Sequence, residues 1–446
     1  MTRPRYLLAL LAAVAAAWCG SFFPGPALAQ DDIAEETWLD DFDWDFGGHL
    51  KLQGSLGWPD NDSLYAPVGL RPHYDGFVES RLMGTLYFSD WMVLETHYEA
   101  VAAGGETRRK GNDLELRYPL LFTDFTEPLD DDQRLVDLTS VVVDQDSYMV
   151  SHRLDRLNLT LYPEWGTICL GRQAVTWGHG FLFNPMDLLN PFAPTDVVRD
   201  YKIGDDLALA RLPMSHWGDI EFVYAPRRNR EDRDVKWDHS SVAAKTHIYV
   251  DDWDLDIDVM AAKHYEDHVV GAGAVGYLGD TAWRLDATWT FLHERDRGRQ
   301  GYASLVANMD YSWIWWDLNW YGYLEFAYSG LSDNEYQQVY THESIAQRVG
   351  RGELHLLGRT YVAAHVDVEL HPLVRVYVTT LTNTADPSGT VMPRVVWNAD
   401  QDLDVTLGAI LSWGRSGTEF GGSTIPQTNI STRPVNSLYL LLSWYF

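Results

Sequence analysis

The sequence predicts an all-β protein, a transmembrane antiparallel β-barrel of about 18 strands (16–18). Three observations carry that prediction. The chain closes on Leu438-Tyr439-Leu440-Leu441-Leu442-Ser443-Trp444-Tyr445-Phe446, whose alternate residues Leu438, Leu440, Leu442, Trp444 and Phe446 form one apolar strand face. Such an edge would aggregate in water, whereas a closed barrel turns the face to lipid and leaves no edge. From about residue 46 onward, period-two segments alternate with turns, and tight turns alternate with longer polar connections. Beyond the amino terminus no stretch reaches the roughly 18 consecutive apolar residues of a spanning helix, yet 46% of the chain is hydrophobic at a mean hydropathy of −0.24. Alternating strands produce that combination, because polar lumen residues offset lipid-facing ones in any average.

In chain order, residues 1–29 read as a signal peptide. Arg3 and Arg5 precede an apolar run from Leu7 to Trp18, and Ala27-Leu28-Ala29 supplies a cleavage motif before Gln30. Trp18 stands before Cys19 where a lipobox needs a small residue, so no lipoprotein is expected. Residues 30–45 carry Asp31, Asp32, Glu35, Glu36, Asp40, Asp41, Asp43 and Asp45 without a base. This stretch is a solvated periplasmic tail or a docking site for a basic periplasmic partner. The barrel takes residues 46–446. Its tight turns fall at Ser89-Asp90, Pro163-Glu164, 215–218, Asp251-Asp252, Gly279-Asp280, Ile314-Trp315, His371-Pro372 and Asp400-Gln401. Longer connections lie near 58–74, 103–147, 174–203, 226–238, 295–300, 330–355, 384–389 and 415–435, with a shorter one at 265–267. Short periplasmic turns and an even strand number leave both termini periplasmic. Trp91, Trp165, Trp217, Trp253, Trp283, Trp313, Trp315 and Trp316 crowd the tight turns, as an interfacial aromatic girdle does. The net charge of −30 becomes −32 once the two signal-peptide arginines are removed, which excludes nucleic acid as a partner. Cys169 is the only cysteine after the signal, so no internal disulfide forms.

Strand alternation assigns the lumen. In 253–264, Leu255, Ile257, Val259 and Ala261 face lipid and Asp254, Asp256 and Asp258 point inward. The same reasoning turns Arg284 and Asp286, then Asp317 and Glu325, then Arg359, Asp367 and Arg375, into the lumen. A charged side chain facing lipid at mid-depth costs about 2–4 kcal/mol, which makes the sorting decisive. Acids outnumber bases in this set. Either Arg–Asp pairs stiffen the wall, or the field favours cations, or both.

One segment differs. It runs Gly171-Arg172-Gln173, Trp177-Gly178-His179-Gly180, Asn184-Pro185-Met186-Asp187 and Asn190-Pro191-Phe192-Ala193-Pro194-Thr195-Asp196, then reaches Arg199, Lys202 and Gly204-Asp205. Phe181, Leu182, Phe183, Met186, Leu188, Leu189 and Phe192 are too apolar for a solvated loop, and each Asn-Pro opens a turn. Folding inward against the wall, as constriction or plug, accounts for both. Arg172, Trp177, Asp187, Asp196, Arg199 and Lys202 are then the expected constriction residues, or else latches of the loop to the wall. The segment resembles that of a group of bacterial outer-membrane, porin-like barrels of poorly defined function, over roughly residues 152–212. Its Gly-Arg-Gln element is similar to alginate-export-type porins. Phe446 and the strand before it resemble the terminal signature read by the barrel-assembly machinery. These resemblances imply an outer-membrane location in a Gram-negative cell, with membrane lipid and lipopolysaccharide around the barrel.

No G-x-S-x-G, H-E-x-x-H or Cys/His metal spacing occurs, so neither catalysis, a cofactor nor a metal is expected. His365 with Asp367 lacks a nucleophile. The expected function is a porin-like channel passing small hydrophilic solutes with cation preference. The alternatives are a structural sheath around a partner such as a multihaem cytochrome, and a polysaccharide export channel.

Overall fold

The computed structural model describes residues 43–118, 130–191, 200–296, 298–332, 336, 342–425, 428 and 430–446. Among these residues nineteen strands make one sheet. The first nine are β1 (Asp43–Trp58), β2 (His73–Ser89), β3 (Met92–Gly105), β4 (Thr139–Asp144), β5 (Tyr148–Leu161), β6 (Thr167–Gln173), β7 (Asp205–Pro213), β8 (Gly218–Ala225) and β9 (Ser241–Val250). There follow β10 (Leu255–His264), β11 (Asp267–Leu278), β12 (Thr281–Asp296), β13 (Arg299–Trp315), β14 (Leu318–Ser329), β15 (Thr360–His371), β16 (Val374–Asn383), β17 (Ser388–Asp400), β18 (Leu403–Trp413) and β19 (Asn436–Tyr445). Among the described residues, two α-helices, α1 (Glu106–Arg117) and α2 (Glu343–Gly350), lie in the long connections.

Eighteen of the nineteen strands close a ring. β3 pairs directly with β5, and the short β4 pairs with β5 alone, on the edge that β6 takes up further along. Closure is made by β1 and β19, with His49 opposite Tyr445 and Trp58 opposite Asn436. Gly48 and Phe446 exchange backbone hydrogen bonds of 2.9 and 3.1 Å. The Phe446 ring occupies the space that Gly48 leaves, since a Cβ there would meet it at 2.8 Å. Each strand pairs antiparallel with its neighbour, and the faces alternate as the pleat demands. On β19, Leu438, Leu440 and Trp444 are exposed while Tyr439, Leu441 and Ser443 are buried. A closed ring this apolar outside and polar inside is a membrane-spanning barrel.

β1 begins at Asp43, three residues before the expected barrel start, and residues 30–42 lie outside the described ones. The connection expected over 295–300 is shorter, since β12 runs to Asp296 and β13 begins at Arg299. The turn expected at Ile314-Trp315 moves to Trp316 and Asp317, both left-handed, with φ of 54° and 57°. That pair of conformations matches the twist of a two-residue hairpin. Asp317 is therefore a turn residue and not part of the wall. Asp254 is corrected likewise: at φ 48° it follows the turn Asp251–Trp253, and its carboxylate accepts a 2.9 Å bond from the Tyr249 hydroxyl. At the tight-turn end Trp91, Trp165, Trp217, Trp253, Trp315 and Trp316 stay exposed, the girdle positions.

Two inward patches break the rule of a polar lumen. Leu207, Val223, Ala225, Ala243 and Met260 form one, and Val306, Ala327, Tyr361, Ala363 and Leu381 the other. Both are seats for the segment that leaves β6.

Candidate pore constriction

The segment after Gln173 runs inside the ring and meets inward-facing side chains of one strand after another. Val175, Trp177 and Met186 bury against the first apolar patch, joined by Leu188 and Leu189. Leu182 and Phe183 reach the second, where the Phe183 ring stacks on Tyr361 at 5.3 Å. Burying each large apolar side chain is worth about 1.5–3 kcal/mol, so these contacts dominate the docking energy.

Polar contacts fix its path. The Trp177 indole N–H donates to Glu221 of β8 at 2.6 Å. His179 lies between Asp258 of β10 (Nε2, 3.1 Å) and Asp286 of β12 (Nδ1, 2.8 Å), and its backbone N–H also donates to Asp286 at 2.7 Å. Burial alone would lower the imidazole pKa, but the two carboxylates overcome it and raise the value to about 9. The backbone N–H groups of Phe181, Leu182 and Phe183 all donate to the buried carboxylate of Glu325 on β14, at 2.6, 2.9 and 3.0 Å. Asn308 of β13 donates to Glu325 and to the His179 carbonyl, each at 3.2 Å.

Both Asn-Pro asparagines act on the backbone. Asn184 Oδ1 accepts from Gly180 N–H at 2.7 Å and its amide donates to the Gly180 carbonyl at 3.1 Å, closing the hairpin tip. Asn190 ties the two legs together, accepting from Val175 N–H at 3.0 Å and donating to the Ile203 carbonyl at 2.7 Å. The glycines beside Trp177 are required by the same turn. A Cβ on Gly178 would stand 2.5 Å from Asn184 Oδ1, and one on Gly180 would stand 1.8 Å from the Phe183 carbonyl oxygen.

The return leg packs on the opposite arc of wall. Asp200 pairs with Lys51 of β1 at 2.5 Å, and the Tyr201 ring lies under the Arg81 guanidinium at 4.6 Å. Arg156 donates to the Lys202 carbonyl at 2.6 Å, and Gly204 N–H donates to Asp155 at 3.1 Å. A bulge on β5, opposite His97 and Tyr98, turns Asp155 and Arg156 inward together. Arg81, Arg153 and Arg156 surround Asp155, and Arg81 and Arg153 also hold Glu99.

Four of the six residues expected at the constriction are described, and each is held in a specific contact, Lys202 half-buried and the others buried. Arg172 is 2% exposed, forked onto Asp206 at 2.8 and 3.0 Å and bonded to Asp131 at 3.0 Å, which anchors the base of the segment to the 130–138 connection. Trp177 binds Glu221, and Asp187 and Lys202 pair with each other across the two legs. Asp196 and Arg199 lie outside the described residues. Among the lumen positions, Asp258, Asp286 and Glu325 bind the segment. Asp256 meets His247 at 3.2 Å, Arg284 pairs with Asp310, and Asp367 with Arg375 at 3.5 Å. Arg359 stands just outside β15 and donates to the Ser332 carbonyl at 3.2 Å. Sequence reading passed over His179, Glu221, Asn184, Asn190 and Asp155. The two asparagines carried a signal in their repeated Asn-Pro; the others carried none beyond their inward register.

No family model matches the sequence, and no curated protein matches it. Solved structures do resemble the fold. A BenF-like porin from Pseudomonas fluorescens Pf-5 superposes with a TM-score of 0.50 at 8% identity, over 91% of this chain and 98% of that one. The protein has the fold of an outer-membrane porin. OpdK from Pseudomonas aeruginosa, crystallised with vanillate, gives a TM-score of 0.47 at 10% identity over 90% and 98% of the two chains. OccAB1 of Acinetobacter baumannii gives 0.48 at 7% identity over 94% and 99%. What the porin fold leaves to this chain's own residues is how its inward segment is held.

Proposed function

We propose that the protein is an outer-membrane channel for small hydrophilic solutes, with cation preference, whose lumen is narrowed or closed by the segment 174–203. The observation that carries this reading is the run of contacts from Trp177 to Phe183 across β8, β10, β12 and β14, ending on Glu325. A segment that only covered a mouth would not engage inward side chains of four wall strands. Support for cation preference comes from the acid excess of the chain, −30 overall. The tight-turn end and both termini face the periplasm on this reading, Phe446 serves the barrel-assembly machinery, and membrane lipid with lipopolysaccharide surrounds the apolar face. The acidic amino terminus is then free for a basic periplasmic partner. Polysaccharide export, which the Gly171-Arg172-Gln173 resemblance implied, gains nothing from the site, since Arg172 is tied to Asp206 and Asp131.

Single-channel conductance in a planar bilayer, with a reversal potential under a salt gradient, tests the proposal. Steady openings with a cation-selective reversal potential are expected, and deleting 181–195 should raise the conductance. A silent barrel that stays silent after the deletion would overturn it and favour a sheath around a partner.

A further inference from the structure

Where the tip of the segment meets the wall, a cavity of about 160 Å³ opens between Leu182 and Phe183, strands β13 and β14, and the 353–358 chain. Its lining is mainly apolar, with Val306 and Ala327 from the wall and Leu354 and Leu356 from the covering chain. Tyr361, stacked on Phe183 at 5.3 Å, also lines it. Enclosed apolar cavities of about 150 Å³ stay dry and accept one benzene-sized ring, and this one, partly open to its surroundings, has similar room. This one is not wholly apolar. Ser304 and Ser329 are opposite one another on β13 and β14, and both line it. Ser329 Oγ accepts from Ser332 Oγ at 3.3 Å.

We infer that this cavity binds a single uncharged ring bearing one hydroxyl, of the phenol class, with the ring between Phe183 and Ala327 and the hydroxyl toward Ser304 and Ser329. The volume sets one ring and the two serines set one polar group. Charge decides against an acid. Among the described lining residues there is no lysine or arginine; His355 is the one imidazole, and Glu353, the one carboxylate, is engaged by His264 at 3.1 Å and by Arg348 and Arg351. A carboxylate entering here would be desolvated beside the Glu353 carboxylate, with no lysine or arginine in the described lining to pair with it. Because the ring would rest on Phe183, whose N–H is one of the three on Glu325, occupancy would stiffen the tip of the segment.

The inference stands or falls on binding, so a barrel that conducts nothing could still confirm it, and its failure would leave the channel proposal untouched. Calorimetric titration of phenol and of benzoate into the full-length protein in lipid nanodiscs, with empty discs subtracted, reads it directly. Phenol should bind saturably, and benzoate at least about tenfold more weakly. Ala327→Leu and Ser304→Phe each fill the cavity from a different strand, and either should weaken phenol by at least about tenfold. Fold is checked by heat-modifiable gel mobility, and one folded variant suffices. Absence of saturable phenol binding to the wild-type protein overturns the inference. So does benzoate binding as well as phenol, or an affinity unchanged in a folded filled variant.

Discussion

The two arcs of the inner wall hold the same segment by opposite chemistry. Along β8 to β14 the wall offers acids, Glu221, Asp258, Asp286 and Glu325, and the outgoing leg offers donors: an indole N–H, an imidazole and three consecutive amides. Along β1 to β5 the wall offers mainly cations, Lys51, Arg81 and Arg156, to a carboxylate, an aromatic face and a carbonyl of the returning leg, with Asp155, which accepts from Gly204 N–H, as the exception. Part of the lumen's acid is therefore taken up by the segment, and only the remainder acts as a field on passing ions. Many of those acids face protein and not water, and a buried carboxylate without its donors would be costly. The difference also orients the segment, because exchanging the two legs would set donors against cations and acids against acids.

The largest effect is expected on the acidic arc, at Glu325. Glu325→Ala leaves three amides of one tight tip without acceptors in a buried site. Each unsatisfied group costs about 1–3 kcal/mol, so the tip should leave the wall rather than stay docked. Single-channel conductance of the variant should approach that of the 181–195 deletion, while Glu325→Gln, which keeps an acceptor, should fall between. Wild-type conductance in Glu325→Ala would mean that apolar contacts of Leu182 and Phe183 alone hold the tip.

A smaller, reversible effect belongs to His179, on the same arc. Its folded pKa of about 9 lies above the ordinary 6.5. A raised value contributes stability that is fully present below about 6.5 and is lost as the pH rises through about 9. The groups facing the ring are Asp258 and Asp286, with Lys245 and His247 on the far side of Asp258 at 3.5 and 3.0 Å. Conductance at constant salt should therefore rise between pH 8 and 10 with a midpoint near 9. Asp286→Asn should move that midpoint toward neutrality. A flat profile over the window would show that His179 does not limit the docking of the segment.

Much of the barrel was legible because a lipid-facing residue has few alternatives. The period-two faces of β10, β12 and β14, the tight turns and the terminal strand all follow from that one constraint. Reading failed first at turns, where Asp254 and Asp317 continue the alternation by count but leave the strand by backbone conformation. The segment was legible as one that packs against other parts of the chain, since Phe181 to Leu189 is too apolar for solvent. Its individual contacts were not, because which acid meets which donor depends on strands more than a hundred residues apart, as with His179 and Asp286 or Phe181 and Glu325. Arg172 and Lys202 illustrate the limit. Their sequence left constriction and latch equally open, and only the fold shows that Arg172 meets Asp206 and Lys202 meets Asp187.

The smallest expected effect lies on the cationic arc, and it sharpens the contrast between the two. Asp200 bonds Lys51 at 2.5 Å but is half exposed, so the pair is screened by water and worth no more than about 1 kcal/mol. The Tyr201 ring under Arg81 and the Lys202 carbonyl on Arg156 would still hold the leg after Asp200→Asn. Conductance should hardly change. The substitution does remove one negative charge beside Lys51, so the reversal potential should shift toward anions, and more so at low salt, where screening is weaker. If conductance rose instead, as for Glu325→Ala, the two arcs would hold the segment equally. The asymmetry drawn from burial, a fully enclosed carboxylate on one side and a half-exposed one on the other, would then be wrong.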